Sequence, residues 1–177
     1  TLVETAQAII KKKVSSFDVT RACLSRLERL QSKLNCFLTS EPERALDEAR
    51  AADAAIARGD VYGPLHGVPL AHKDIFHRKG MATTRGSRLF DADIADDTSS
   101  VLVRLLRAGA ISLGTLNMSK LCYNPYGFND EFGRCRNPWD TSRTPGGSSG
   151  GSGAATGAAL CAMAIGTDTG GSVRIPA

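Results

Sequence analysis

Between Thr144 and Ala159 the chain reads TPGGSSGGSGAATGAA, a run too poor in side chains to pack by itself. Glycine loses more conformational freedom on folding than any other residue, so such a run is ordered only where close approach or unusual backbone demands it. Three uses fit the composition: a flexible linker, a phosphate-binding turn, or a turn in a catalytic centre. A linker would separate two independent units. Here an apolar stretch, AATGAALCAMAIG, follows without a polar boundary and reads as a helix or buried segment, and a second cluster, GTDTGGSVR, comes directly after it.

A phosphate turn would use backbone N–H groups at a helix N-terminus. The residues do not fit its known forms. The Walker pattern needs Gly-Lys-Ser/Thr, and no lysine lies in the run; the dinucleotide pattern counted from Gly151 meets Thr156 where its third glycine belongs. The preceding NPWDTSRTP also lacks the character of the buried strand that such turns follow.

The catalytic use combines the run with Ser172 and Lys73. A serine hydroxyl attacks only when a base takes its proton and donors hold the oxyanion it creates. In TDTGGS, Ser172 follows a glycine turn whose N–H groups, from Thr169 through Gly170 and Gly171 to Ser172, form a candidate oxyanion hole. The base is open between two types. His66, His72 and His77 all cluster around Lys73 in sequence, and desolvation can bring a lysine from about 10.4 into the range of a general base. In an extended segment His72 and Lys73 point to opposite faces, so only one of them can enter a given site. No spacing among the histidines matches a metal-ligand pattern.

Around these motifs the chain reads as α/β. Apolar residues recur at helical spacing over Leu2–Lys12 and Asp18–Leu34, with Ser15 or Ser16 as a cap before the second run. CFLTS is a strand candidate, and Pro42 opens an alanine-rich helix that stops at Gly59. GPLHGVPLAHKDIF reads as a turn and a buried strand; Thr98–Ala108 reads as a helix with Val101, Leu102 and Leu105 inward, Gly109 as its stop, and AISLGTL as the next strand. Strand, helix, strand in that order argues α/β architecture. The irregular segment Asn117–Thr144 is long for a mere connection, and long loops are usually functional.

Composition narrows the rest. With 42% hydrophobic and 23% charged residues, the 177-residue chain is that of an ordinary globular protein. Its net charge of +4 is spread among acids, and Lys11–Lys13, the only basic run, reads as a solvated face rather than a nucleic-acid surface. Five cysteines, Cys23, Cys36, Cys122, Cys135 and Cys161, form no CxxC pair and are expected as reduced thiols in a cytoplasmic protein.

Taken in order, GPLHGVPLAHKDIF, RNPWDTSRTPGGSSGGSGAA and GTDTGGSVRIPA resemble the amidase signature family of serine hydrolases. The resemblance implies an α/β fold with a mixed β-sheet core flanked by helices, an α/β/α sandwich. Residues 1–60 would then be the N-terminal helical region and 61–177 the catalytic core of one domain. It also implies a Ser-cisSer-Lys triad of Lys73, Ser148 and Ser172, with the Gly147–Ser148 peptide cis and Ser148 as proton relay. Ser149 would support the relay, Asp168 and Arg174 would brace the nucleophile turn, and Leu121, Cys122 and Tyr123 would border the acyl pocket. The implied substrate is a small-molecule amide, with no cofactor, metal or membrane and with a homodimer as a possible assembly.

Within that family AHKDIF and TTRGS are similar to the A subunit of glutamyl-tRNA amidotransferase, which works with partner subunits and tRNA. SKLCYNPYGFND departs from the Asp-Glu-Phe pattern expected in such amidotransferases, and suits a general amidase as well or better. A non-catalytic module that kept the fold would lack a triad member, and none is lacking. Family members are longer, so the chain is expected to be truncated after the nucleophile and poorly active alone.

Overall fold

The computed structural model describes residues 1–177, and its first two helices begin where side chains satisfy free backbone ends. Thr1 caps α1, Leu2–Ile10, in a reciprocal capping box with Glu4. Ser15 caps α2, Ser16–Leu34, by accepting from the Asp18 N–H, and Asn35 ends it in a left-handed conformation. α3, Pro42–Arg58, starts on its proline and ends on left-handed Gly59. Lys11, Lys12 and Lys13 are exposed just beyond α1.

Four strands form one mixed sheet in the order β1-β3-β2-β4. β1, Phe37–Ser40, pairs antiparallel with β3, Ile111–Leu116; β2, Pro69–Lys73, and β4, Met163–Ile165, continue the sheet in parallel. The middle strands β2 and β3 are buried at every position, as parallel strands covered on both faces should be. Alternation along β2 sends Ala71 into the main core with Leu27, Leu34, Ala45 and Leu113, and Leu70 and His72 toward α4, Ser100–Arg107. On α4 only Leu102 is fully buried; Leu105 lines a small gap over the sheet, and Val101, expected inward, is 37% exposed. Helical period sets the apolar stripe, and the elements packed on α4 cover Leu102 but leave Val101 at its edge.

A larger difference lies in the glycine run. AATGAALCAMAIG is not one continuous segment: α5 is Gly150–Gly157, beginning inside the glycines, and β4 follows after a turn with Ala159 at φ 52°. Propensity argues against a helix there, and close approach overrides it. A Cβ on Gly151 would sit 2.4 Å from the Asn117 carbonyl oxygen and 2.6 Å from that of Cys36, and one on Gly153 would sit 2.2 Å from the Pro176 carbonyl oxygen. Glycine lets α5 lie directly on backbone. Gly151→Ala is therefore expected to cost about 3 kcal/mol through overpacking against atoms that cannot rotate away. That corresponds to a melting temperature lower by roughly 6–12 °C. Gly170→Ala, whose Cβ would meet nothing within 4 Å, is the control; equal melting of the two variants would contradict this account of α5.

Candidate active site

Strands β2, β3 and β4 run parallel, so their carboxyl ends arrive at the same edge of the sheet. In open α/β sheets that edge is where ligand crevices form. Lys73 ends β2, the Ser119–Cys122 turn follows β3, Thr167–Ser172 follows β4, and Ser148 and Ser149 lead into α5.

Lys73 is wholly buried. Its Nζ donates to Ser148 Oγ at 2.7 Å, Ser149 Oγ at 3.0 Å and Thr167 Oγ1 at 2.7 Å. All three ammonium donors thus meet hydroxyl oxygens, and no carboxylate touches the group. Burial pushes its pKa below the ordinary lysine value, while nearby Cys122 and Asp168 favour the charged form. A lysine in this setting gives up its proton more readily than one locked in an ion pair. Ser149 Oγ donates onward to the Thr167 carbonyl at 3.2 Å, so its hydrogen is already placed. The hydroxyls of Ser148 and Thr167 remain able to pass a proton to a neutral amine.

The Gly147–Ser148 peptide is cis. Ser148 is buried, and its carbonyl accepts from the Ser119 N–H at 3.0 Å. Ser172 is half-buried, and its carbonyl accepts from the Ser149 N–H at 3.1 Å, which ties the two motifs together through the backbone. Lys73, Ser148 and Ser149 are thereby in direct contact, while Ser172 Oγ makes no hydrogen bond to Ser148 Oγ.

The turn that carries Ser172 is built on Asp168. Its carboxylate accepts from the N–H groups of Gly171 at 2.8 Å, Val173 at 3.1 Å and Arg174 at 3.2 Å, and pairs with the Arg174 guanidinium at 2.9 Å. The Arg174 guanidinium and these N–H groups hold its carboxyl well below the usual carboxylate range. One expectation changes here. The Gly171 N–H belongs to Asp168 and is not available to an oxyanion; those of Thr169, Gly170 and Ser172 have no acceptor within the protein.

Cys122 is half-buried beside Lys73, whereas Leu121 is 51% and Tyr123 91% exposed. None of the three histidines hydrogen-bonds to Ser148 or Ser172. His66 is fixed by the Tyr62 N–H at 3.2 Å and the Ala52 carbonyl at 3.0 Å, and His77 lies 3.5 Å from Asp97. His72 is buried on the α4 side of the sheet with both ring nitrogens unpartnered. Sequence reasoning missed Thr167. Its signal was a hydroxyl residue in GTDTGGS, but contact with Lys73 depends on β4 lying beside β2, and β4 was not separable from the apolar segment before it.

A family model described as Amidase matches residues 18–177. The chain belongs to the amidase family. Among amidase relatives, the glutamyl-tRNA(Gln) amidotransferase A subunit of Aromatoleum aromaticum is 49% identical over 176 residues, which are 99% of this chain and 36% of that protein. The protein of the same description from Methylobacillus flagellatus is 47% identical over 176 residues, again 36% of its length. The chain thus spans about a third of the length of these relatives. Among solved structures, one from work on a vestigial protein complex and the origins of an s-triazine catabolic enzyme superposes with a TM-score of 0.95 at 39% identity, covering 99% of this chain and 39% of that one. The native peptide amidase of Stenotrophomonas maltophilia superposes at 0.91 with 33% identity, covering 99% of this chain and 37% of its own.

Proposed function

We propose that this chain carries the centre of an amide-cleaving enzyme that works through an acyl-enzyme on Ser172. The observation that carries the reading is the buried Lys73 amine, set on Ser148 Oγ at 2.7 Å with no carboxylate to hold its charge. In the neutral form Lys73 takes the Ser148 proton as Ser148 takes that of Ser172, and Ser172 Oγ bonds to the amide carbon. The free N–H groups of Thr169, Gly170 and Ser172 face the oxyanion that forms. Collapse breaks the C–N bond, and the amine leaves with the proton returned from Lys73 through Ser148. Water then enters by the same relay and releases the acid. The relay's second bond, Ser148 to Ser172, is formed in the substrate complex; such bonds are often long in a free enzyme.

Leu121, Cys122 and Tyr123 border the acyl side of the crevice, Ser149 and Thr167 orient the amine, and Asp168 and Arg174 stiffen the nucleophile turn. Simple carboxamides presented with hydroxylamine to the polypeptide that contains this chain should give hydroxamates. Ser148→Ala should slow that product about 10²–10⁴-fold, the usual worth of a proton-transfer group. Absence of hydroxamate with the unaltered protein, folded and supplied with a range of amides, would sink the reading.

A second reading is favoured by the amidotransferase relatives, which are 49% and 47% identical to this chain. In it the same centre releases ammonia from an amide donor for transfer to tRNA-linked glutamate, with partner subunits. Glutaminase activity that appears only when partners co-purify supports this second reading; full activity without them supports the first.

A further inference from the structure

We infer that Asn129 and Asp74 are positioning residues of this centre, a polar clamp that holds the Ser119–Cys122 turn, and through it Ser148, against Lys73. The inference rests on the reading of Lys73 and Ser148 as a proton relay. Asn129 sits in the irregular segment between β3 and α5, yet it is buried to 1% exposure. No motif in the sequence marks it, and its importance shows only in its contacts.

Asn129 uses every hydrogen-bonding capacity it has. Its Nδ2 donates to the carbonyls of Gly86 and Met118, each at 2.9 Å, and its Oδ1 accepts from the N–H groups of Glu131 and Phe132, each at 3.0 Å. The two donors bridge separate segments, the loop after β2 and the end of β3. A Cβ on Gly86 would come within 3.1 Å of Asn129 Nδ2, so the fit on that side is close. Asp74, next to Lys73 and buried to 2% exposure, anchors the first segment by accepting from the Thr84 N–H at 3.1 Å and from the Thr84 hydroxyl.

From these anchors the contacts run back to the amine. The Arg85 carbonyl accepts from the Leu121 N–H at 2.8 Å, the Ser119 carbonyl accepts from the Cys122 N–H at 3.0 Å, and the Ser119 N–H donates to the Ser148 carbonyl at 3.0 Å. Leu121 and Cys122 adopt φ of 52° and 61°, and Arg85 adopts 54°. Side chains of the L series resist that region and stay there only where surroundings over-determine them. Release of the clamp frees the turn to relax, which moves Cys122 away from Lys73 and loosens the Ser148 carbonyl.

Asn129→Asp removes both donors at nearly constant volume and tests the inference in the polypeptide that contains this chain. Fluorophosphonate labelling of Ser172, expressed per folded molecule, is expected to slow about 10–100-fold, the usual result of a small misplacement. The titratable groups that act on the amine are Cys122 from the clamped turn and Asp168 from the nucleophile turn. The pH midpoint of labelling should move toward that of an ordinary lysine as water reaches the amine. Thr84→Val removes the hydroxyl that donates to Asp74 and accepts from the Gly86 N–H. It should shift rate and midpoint in the same direction, and it decides the matter if Asn129→Asp does not fold. Labelling and midpoint equal to those of the unaltered protein in the folded variants would overturn the clamp. If the unaltered protein is itself not labelled at Ser172, the catalytic reading fails instead. Amide exchange at Ser119, Leu121 and Cys122 then judges the clamp as structure alone, with faster exchange in Asn129→Asp supporting it and unchanged exchange overturning it.

Discussion

Replacing Lys73 by methionine is expected to slow fluorophosphonate labelling of Ser172 by about 10²–10⁴-fold, because the substitution keeps most of the buried volume and removes the amine, both as proton acceptor and as donor to three hydroxyls. Lys73→Ala should lose as much and also unfold more easily, since it leaves a cavity beside three hydroxyls that have lost their donor. The pH profile carries a second part of the expectation. In the proposed relay the active form is the neutral amine, so the rate is expected to rise with pH through the Lys73 pKa. Burial puts that midpoint below the ordinary lysine value. A midpoint near that of an ordinary histidine, unmoved in Lys73→Met, would assign the base to one of the histidines instead.

The other large effect concerns stability in acid and comes from His72. Its ring is wholly buried, both nitrogens lack partners, and burial depresses its pKa from 6.5 to about 4. Arg78 and Arg44 push in the same direction, and Glu41 opposes them. Below the unfolded pKa of 6.5 the unfolded chain binds a proton that the folded chain refuses, so stability is full above 6.5 and falls as pH drops toward 4. The loss is about 3 kcal/mol over that window, at 1.36 kcal/mol per unit. His72→Leu should flatten the slope between about pH 6.5 and 5, where carboxylates contribute least. Denaturant unfolding at several pH values measures it, and an unchanged slope in the variant would contradict the assignment.

The long helices were legible because their signals are local. The period of α1 and α2, the serine cap of α2, and the Pro42 start and Gly59 stop of α3 lie within the segments themselves. The buried strands β2 and β3 also showed as short apolar runs between glycines. The start of α5 did not show, because its reason is the Asn117 and Cys36 carbonyls that press against Gly151 from distant parts of the chain. Val101 departs from its expected place for a related reason, since period gives a stripe but not how much of it the neighbours cover.

Legibility of the site divides the same way. Strand alternation separated His72 from Lys73, and the structure places Lys73 on Ser148 and His72 on the α4 side. The backbone nest is smaller than TDTGGS implies, since the Gly171 N–H serves Asp168. Thr167, Asn129 and Asp74 depend on which strands are neighbours and on where loops return, and no spacing in the sequence encodes that.

The central claim is that Ser172, and not Ser148, forms the bond to substrate. Its most direct test is to label the polypeptide that contains this chain with a fluorophosphonate and locate the adduct by peptide mass spectrometry. A single adduct on Ser172 is expected, lost in Ser172→Ala and strongly slowed in Lys73→Met. An adduct on Ser148, or labelling that survives in Ser172→Ala, would contradict it.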